Sequence, residues 1–321
     1  MPALNEIIIK KRNHKMSEMI EVARSSVQTW ECDQMGHMNV QFYMEKADHG
    51  LAALGLALGL GPRVARNEGA RLQVSDHHVR YLREQRPGAP FFLRSGVLEG
   101  RDFGLTVYEE MVSTASGEPV ATFIMEVQWV DDETREVKPL PARAKAAAKE
   151  LIIERPAHGS PRGLDIYDPR PAPKLSDADG LGMVRTWQGQ VLQSQCDAQG
   201  FLTVRHFVGI VSDGIPNLLA QTSGTDRSKT PTIGGAALEY RFVYRRYPRV
   251  GDVLTLRSGL KQVGPKTYIW CHWLFDLETG EAVATAEAIA IALDLTTRKA
   301  IPIPDDMRST LEALVIPGLG V

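Results

Sequence analysis

The residues best suited to chemistry lie in one short run, Asp33-Gln34-Met35-Gly36-His37-Met38-Asn39. A carboxylate is followed by a glycine turn and then by the start of an apolar periodicity that predicts a helix from Val40. The unpaired N–H groups of a helix N-terminus would lie beside that carboxylate. Such groups polarise a carbonyl oxygen and stabilise the oxyanion formed when it is attacked. Asp33 would attack the carbonyl carbon or activate a water to do so. A thioester suits this arrangement, because a thiolate leaves without strong acid assistance. Amides near Asn39 and Val40 are the expected oxyanion donors. His37 is a candidate polar contact, and Gly36 and Tyr43 fall on the turn and on the first helical turn. Plainer roles compete. Asp33 and Asn39 are both good helix caps, and Tyr43 could be core packing. Cys32 with His37 could form a thiol nucleophile, although cysteine is more often a small buried apolar residue.

The same run recurs. Residues 32–50 read CDQMGHMNVQFYMEKADHG and residues 196–214 read CDAQGFLTVRHFVGIVSDG, so that 197 − 33 = 164 and 214 − 50 = 164. The match resumes downstream, where Arg94-Ser95-Gly96 aligns with Arg257-Ser258-Gly259 and 257 − 94 = 163. Two copies at this spacing predict two fused domains, whereas a solenoid needs more and shorter repeats. The second copy keeps the carboxylate, as Asp197, but Phe201, Thr203 and Phe207 stand where the first has His37, Asn39 and Tyr43. We therefore expect one competent site, at the first motif. The second half would serve as scaffold and acyl-pocket wall, with Asp197 a helix cap or a substrate contact.

The elements that must position these residues follow the same order in each half. A strand is expected up to Asp33 (SSVQTWE) and up to Asp197 (TWQGQVLQSQ). A long helix follows, in which Val40, Tyr43, Ala47, Leu51, Leu54 and Leu58 share one face until Gly59 and Gly61-Pro62 stop it. Four segments rich in β-branched and aromatic residues come next: QVSDHHVRYL, PFFLRSGVLEG, LTVYEEMVST and VATFIMEVQWVD, with counterparts in the second half. The predicted class is α+β, each half an antiparallel sheet wrapped around a long helix. The expected division is 1–140, a linker at 141–182 that opens with a helical ARAKAAAKELI, and 183–321.

The 321 residues suit two domains at about 150 residues each. A net charge of -2 gives no electrostatic footprint for nucleic acid. Three cysteines without a C-x-x-C pair suit a reducing compartment. The apolar run Ile7–Ile9 is too short for a signal peptide, and no stretch reaches a membrane span of about 20 residues. A cytoplasmic location is expected. His77 and His78 are strand neighbours facing opposite sides, so no metal site is expected.

The pattern D-x-x-G-H-x-N-x-x-x-Y followed by E-K-A-D resembles the hot-dog thioesterases of the 4-hydroxybenzoyl-CoA and acyl-CoA type, over roughly residues 20–140 and 183–300. The resemblance implies two tandem hot-dog domains and hydrolysis of an acyl-CoA to a free acid and CoA. Asp33 would be the nucleophile or general base, and amides at the helix start would hold the thioester carbonyl. CoA enters as part of the substrate, so no bound cofactor is implied. The layout also resembles plant acyl-ACP thioesterases, which carry D-x-N-x-H-x-N in their second half; here Met35 stands at the first Asn position. MaoC-like hydratases place His five residues after Asp, against four here. A non-catalytic acyl-CoA-binding module is the other reading. The run RRYPR (245–249) is a solvated strand end or a contact for CoA phosphates. An exposed sheet edge implies a homo-oligomer.

Overall fold

A computed structural model describes residues 18–222, 233–297 and 299–321; the run Ile7–Ile9 lies outside them. The first half contains β1 (Ile20–Ser26), α1 (Val40–Ala57), α2 (Pro62–Glu68), β2 (Ala70–Tyr81), β3 (Pro90–Gly100), β4 (Gly104–Ser113) and β5 (Pro119–Asp131). Two short helices, α3 (Ala142–Glu150) and α4 (Leu175–Gly180), lie in the connection. The second half repeats the plan with β6 (Val184–Gln190), α5 (Val204–Thr222), β7 (Ile233–Tyr244), β8 (Val253–Val263), β9 (Thr267–Asp276) and β10 (Ala282–Asp294). It then adds β11 (Lys299–Ile301) and α6 (Asp305–Glu312). The architecture is the expected α+β pair of hot-dog units.

The expected strands before the two aspartates end early. Thr29–Glu31 and Gln193–Gln195 are single 3-10 turns. The cause in the first half is Glu31, a buried carboxylate. It accepts the Gln28 N–H at 2.9 Å and pairs with Lys46 of α1. That pairing ties the chain to the helix and takes it off the sheet. Residue alternation alone does not reveal it, because the pull comes from a residue 15 positions away.

The two sheets are one. The strand order is β1-β3-β4-β5-β2-β7-β10-β9-β8-β6, with β11 on β10. The halves join where β2 and β7 pair antiparallel from Asp76↔Val243 to Arg80↔Glu239. Across this seam Arg241 donates to Asp76 at 2.7 Å, and His78 meets Glu239 at 3.2 Å. The connection docks over the same seam: Glu239 accepts the backbone N–H groups of Arg162, Gly163 and Leu164, while Arg241 reaches the carbonyls of Asp165 and Tyr167.

Helices α1 and α5 lie against each other and against this sheet, α1 on β1 and β3 and α5 on β6 and β8. Asn39 meets Ser212, and Glu45 meets Arg205, so the two helices run antiparallel. Gly209 allows the close approach, since a Cβ there would come within 3.1 Å of the Gln41 side chain. Met44, Ala47, Leu51, Leu54 and Leu58 are buried along α1, as are Phe207, Val208 and Val211 along α5. Each large aliphatic or aromatic side chain removed from water here contributes about 1.5–3 kcal/mol.

Candidate active site

Asp33 follows the 3-10 turn and begins a tight loop. Its Oδ1 accepts the Met35 N–H at 2.8 Å, its carbonyl accepts the Gly36 N–H at 2.9 Å, and its own N–H donates to the His37 carbonyl at 3.2 Å. Gly36 makes that loop possible with φ +77°, a region an L side chain rarely adopts. The loop holds the carboxylate half-buried at the edge of a cavity of about 710 Å³. No cation lies within ion-pair distance of Asp33 among the described residues.

Gly36 shapes the loop, and Asp33, His37, Asn39, Val40 and Tyr43 all line this cavity. His37 Nε2 lies 3.6 Å from a Glu84 oxygen. Asn39 caps α1, accepting the Gln41 N–H at 3.1 Å, and its amide nitrogen donates to Ser212 of α5 at 3.1 Å. Tyr43 packs edge-on against Tyr81 at 5.0 Å, and burial pushes its phenol above the usual range.

One expectation needs correction. The Asn39 N–H is not free for a substrate, because it donates to the Glu31 carbonyl at 2.9 Å. The buried turn that anchors Glu31 consumes it. The Val40 N–H, at the first helical position, has no partner among the described residues. Cys32 does not line the cavity; its thiol faces the Gln28 carbonyl at 3.6 Å, and burial pushes its pKa up.

The second motif is arranged differently. Asp197 also accepts turn amides on Oδ1, from Gln199 at 2.9 Å and Phe201 at 3.0 Å. Its other oxygen is held by Arg71 at 2.6 Å and Arg135 at 2.5 Å. Asp197 therefore does not join the cavity that holds Asp33. Arg245, Arg246 and Arg249 line a separate cavity of about 440 Å³ beside Arg135. The structure thus places RRYPR on the Asp197 side of the molecule, with Arg246 paired to Asp252 and Asp276.

From Asp33 the main cavity passes under α5 into the second half. Tyr81 of β2, Ala237 and Tyr240 of β7, Ala288 and Ala290 of β10, and Tyr268, Trp270 and His272 of β9 form its floor. Ile215 and Leu218 of α5 and Met307 and Leu311 of α6 close it. Three strand intervals, from β2 to β9, make this about 14 Å across the sheet. Sequence reading missed Ser212, Tyr81 and His272. A signal for Ser212 was present, since 48 + 164 = 212 makes it the counterpart of Asp48 in the duplicated helix.

The comparisons agree with this architecture. A search of curated protein sequences returned no match. Among solved structures, a Lactobacillus plantarum protein assigned as an oleoyl thioesterase aligns with TM-score 0.65 and 12% identity, covering 86% of this chain and 98% of its own. An acyl-ACP thioesterase from Bacteroides thetaiotaomicron aligns with TM-score 0.61 and 12% identity, covering 83% and 96%. The 12:0-ACP thioesterase of Umbellularia californica gives TM-score 0.61 and 12% identity, covering 85% and 94%. At that identity the likeness speaks for the fold. Membership rests on the sequence: the family model described as the thioesterase-like superfamily matches residues 27–148 and 191–311, both halves of the duplication. The chain belongs to the thioesterase-like superfamily, as a tandem hot-dog enzyme acting on acyl thioesters.

Proposed function

We propose that the protein hydrolyses acyl-CoA thioesters to the free acid and CoA at a single site built around Asp33. The observation that carries this reading is the contrast between the two aspartates: Asp33 has no ion pair among the described residues and lines the main cavity, whereas Asp197 is neutralised by two arginines. The thioester carbonyl sits at the start of α1 with its oxygen toward the Val40 N–H. Asp33 takes a proton from water, the water oxygen attacks the carbonyl carbon, the C–S bond breaks and the thiolate leaves. If Asp33 instead attacks directly, a mixed anhydride forms and water cleaves it in a second step. Label found in the Asp33 carboxylate after a single turnover in ¹⁸O-water identifies direct attack followed by water attack on the Asp33 acyl carbon; a mixed anhydride trapped on Asp33 by rapid quench identifies direct attack whichever carbonyl the water takes. Asn39 and Ser212 hold the helix start against α5, His37 faces the leaving group, and Tyr43 lines the acyl entry. The acyl chain runs under α5 into the second half.

The test is thiol release from a panel of short, long, branched, aromatic and cationic acyl-CoAs. Turnover of at least one, abolished in Asp33→Asn, is the expected result. Thiol release from none of them, with acyl-CoA still binding, would leave a ligand-binding module. Among the described residues β1 and β6 are the edge strands of the sheet, each paired with a strand on one side only. We expect self-association there or through the convex sheet face, measurable by sedimentation. No helix among the described residues is long and apolar enough to cross a membrane.

A further inference from the structure

One wall of the main cavity carries a hydrogen-bonding group that no described residue satisfies. His272, on β9, is 2% exposed, and its Nε2 has no partner among the described residues. Its Nδ1 lies 2.8 Å from Ser258 Oγ on β8, and Ser258 Oγ lies 3.1 Å from Thr186 Oγ1 on β6. Neither hydroxyl has another partner among the described residues. Counting protons along this chain fixes its direction. If Nδ1 carried the proton, it would donate to Ser258 and Ser258 to Thr186, leaving both the Thr186 proton and the Nε2 lone pair unmet in the interior. If Thr186 donates to Ser258 and Ser258 donates to Nδ1, only the Nε2–H is unmet. Leaving a buried polar group unmet is destabilising, so the arrangement with fewer unmet groups prevails. Burial lowers the imidazole pKa to about 3, so the ring is neutral at physiological pH. The side chain faces the cavity beside Trp270 and Tyr268, which share its strand face. The result is a neutral N–H donor, unmet by any described residue, on a side chain that lines the cavity among tyrosine, tryptophan and aliphatic neighbours.

We propose that the preferred acyl group carries a hydrogen-bond-accepting oxygen, a keto or hydroxyl group, partway along its chain, and that the His272 Nε2–H binds it. This deepens the acyl-CoA hydrolase reading and rests on it. His272 acts as a specificity determinant remote from the scissile bond, with Ser258 and Thr186 as positioning residues that set its tautomer. A neutral donor suits a neutral oxygen; a terminal carboxylate would sit among alanine, isoleucine and leucine side chains, and among the described residues no lysine or arginine of β7, β9 or β10 lines the cavity there. A donor built for such an oxygen discriminates against the analogue that lacks it, because the bare chain leaves the N–H unmet.

The experiment uses acyl-CoAs of one chain length, either saturated or bearing a single keto or hydroxyl oxygen at successive carbons. The readout is the ratio of kcat/KM for each oxygenated substrate to that of the saturated one. The expected profile peaks at one position with a ratio of roughly ten or more. In His272→Phe the peak collapses to a ratio near one. His272→Gln, which retains an N–H donor, keeps part of it, and Ser258→Ala lowers it several-fold. The Gln and Ala variants carry the test if the Phe variant fails to fold. A flat profile in the wild-type enzyme overturns the inference, meaning that water meets the His272 donor, and leaves thioester hydrolysis standing. Absence of thiol release from every substrate overturns the hydrolase reading and this inference with it.

Discussion

The two copies of the motif have the same backbone and opposite surroundings. Each begins with a 3-10 turn, a carboxylate accepting turn amides on one oxygen, and a glycine with φ near +80°. The difference lies in what the opposite half presents. Because β2 and β7 run antiparallel at the seam, the N-terminal end of β7 faces the first motif and the N-terminal end of β2 faces the second. Strand register makes these ends equivalent: Ala70 pairs with Asp131 as Ile233 pairs with Asp294, and 233 − 70 = 294 − 131 = 163. Arg71, Leu72, Gln73 and Val74 therefore correspond to Gly234, Gly235, Ala236 and Ala237. At the first motif small residues leave room for a cavity; at the second, Arg71 fills the space and neutralises Asp197. A duplicated site has been specialised by side-chain size on a strand that neither motif contains.

Deeper in each half the same contrast holds. His272 corresponds to Glu109, since 272 − 163 = 109, and Ser258 to Ser95. Glu109 is fully buried, lines neither cavity, and burial raises its carboxyl well above the usual range. The main cavity joins the carboxylate of the first half to side chains of the second, His272 among them.

The sharpest way to break this comparison is to remove each aspartate in turn. Asp33→Asn should lower kcat/KM by about 10²–10⁴-fold in a thiol-release assay. Asp197→Asn should leave it within several-fold. If the second variant were the inactive one, the assignment would be reversed. Narrowing the channel should come next in size. Ala237→Phe should cost about 10–200-fold in kcat/KM for long acyl chains and little for short ones, read from a chain-length series. Equal losses at every length would place the acyl chain elsewhere.

A smaller effect separates catalysis from stability. Asp197→Ala leaves Arg71 and Arg135 without that partner, and the Arg135 side chain is only 8% exposed. The loss should be about 1–3 kcal/mol in denaturant unfolding. Smallest is Ser212→Ala, which removes the acceptor for Asn39 across the helix pair. It should cost about 0.5–1.5 kcal/mol of stability and a modest fraction of activity. No change in either would mean that the cap holds Asn39 unaided.

Much of this was legible in the residues. The helix face from Val40 to Leu58, its glycine stop, the strands that follow and the duplication all rest on local periodicity and on residues near in sequence, so they show in one dimension. The loss of His37, Asn39 and Tyr43 equivalents in the second copy already pointed to different surroundings for the two aspartates. Other features did not show. The 3-10 turn before Asp33 depends on Lys46 reaching back to Glu31, and that contact also takes the Asn39 amide out of use.

The sequence by itself determined that two like units exist and that each presents a carboxylate at a helix start, because turn chemistry and helix periodicity are set by neighbours. Only the tertiary structure decided which carboxylate is free. That outcome depends on the antiparallel β2–β7 pairing, which brings Gly234–Ala237 to one motif and Arg71 to the other. The main cavity likewise arises from side chains on β7, β10, β9, α5 and α6 that meet only when the two halves close into one sheet.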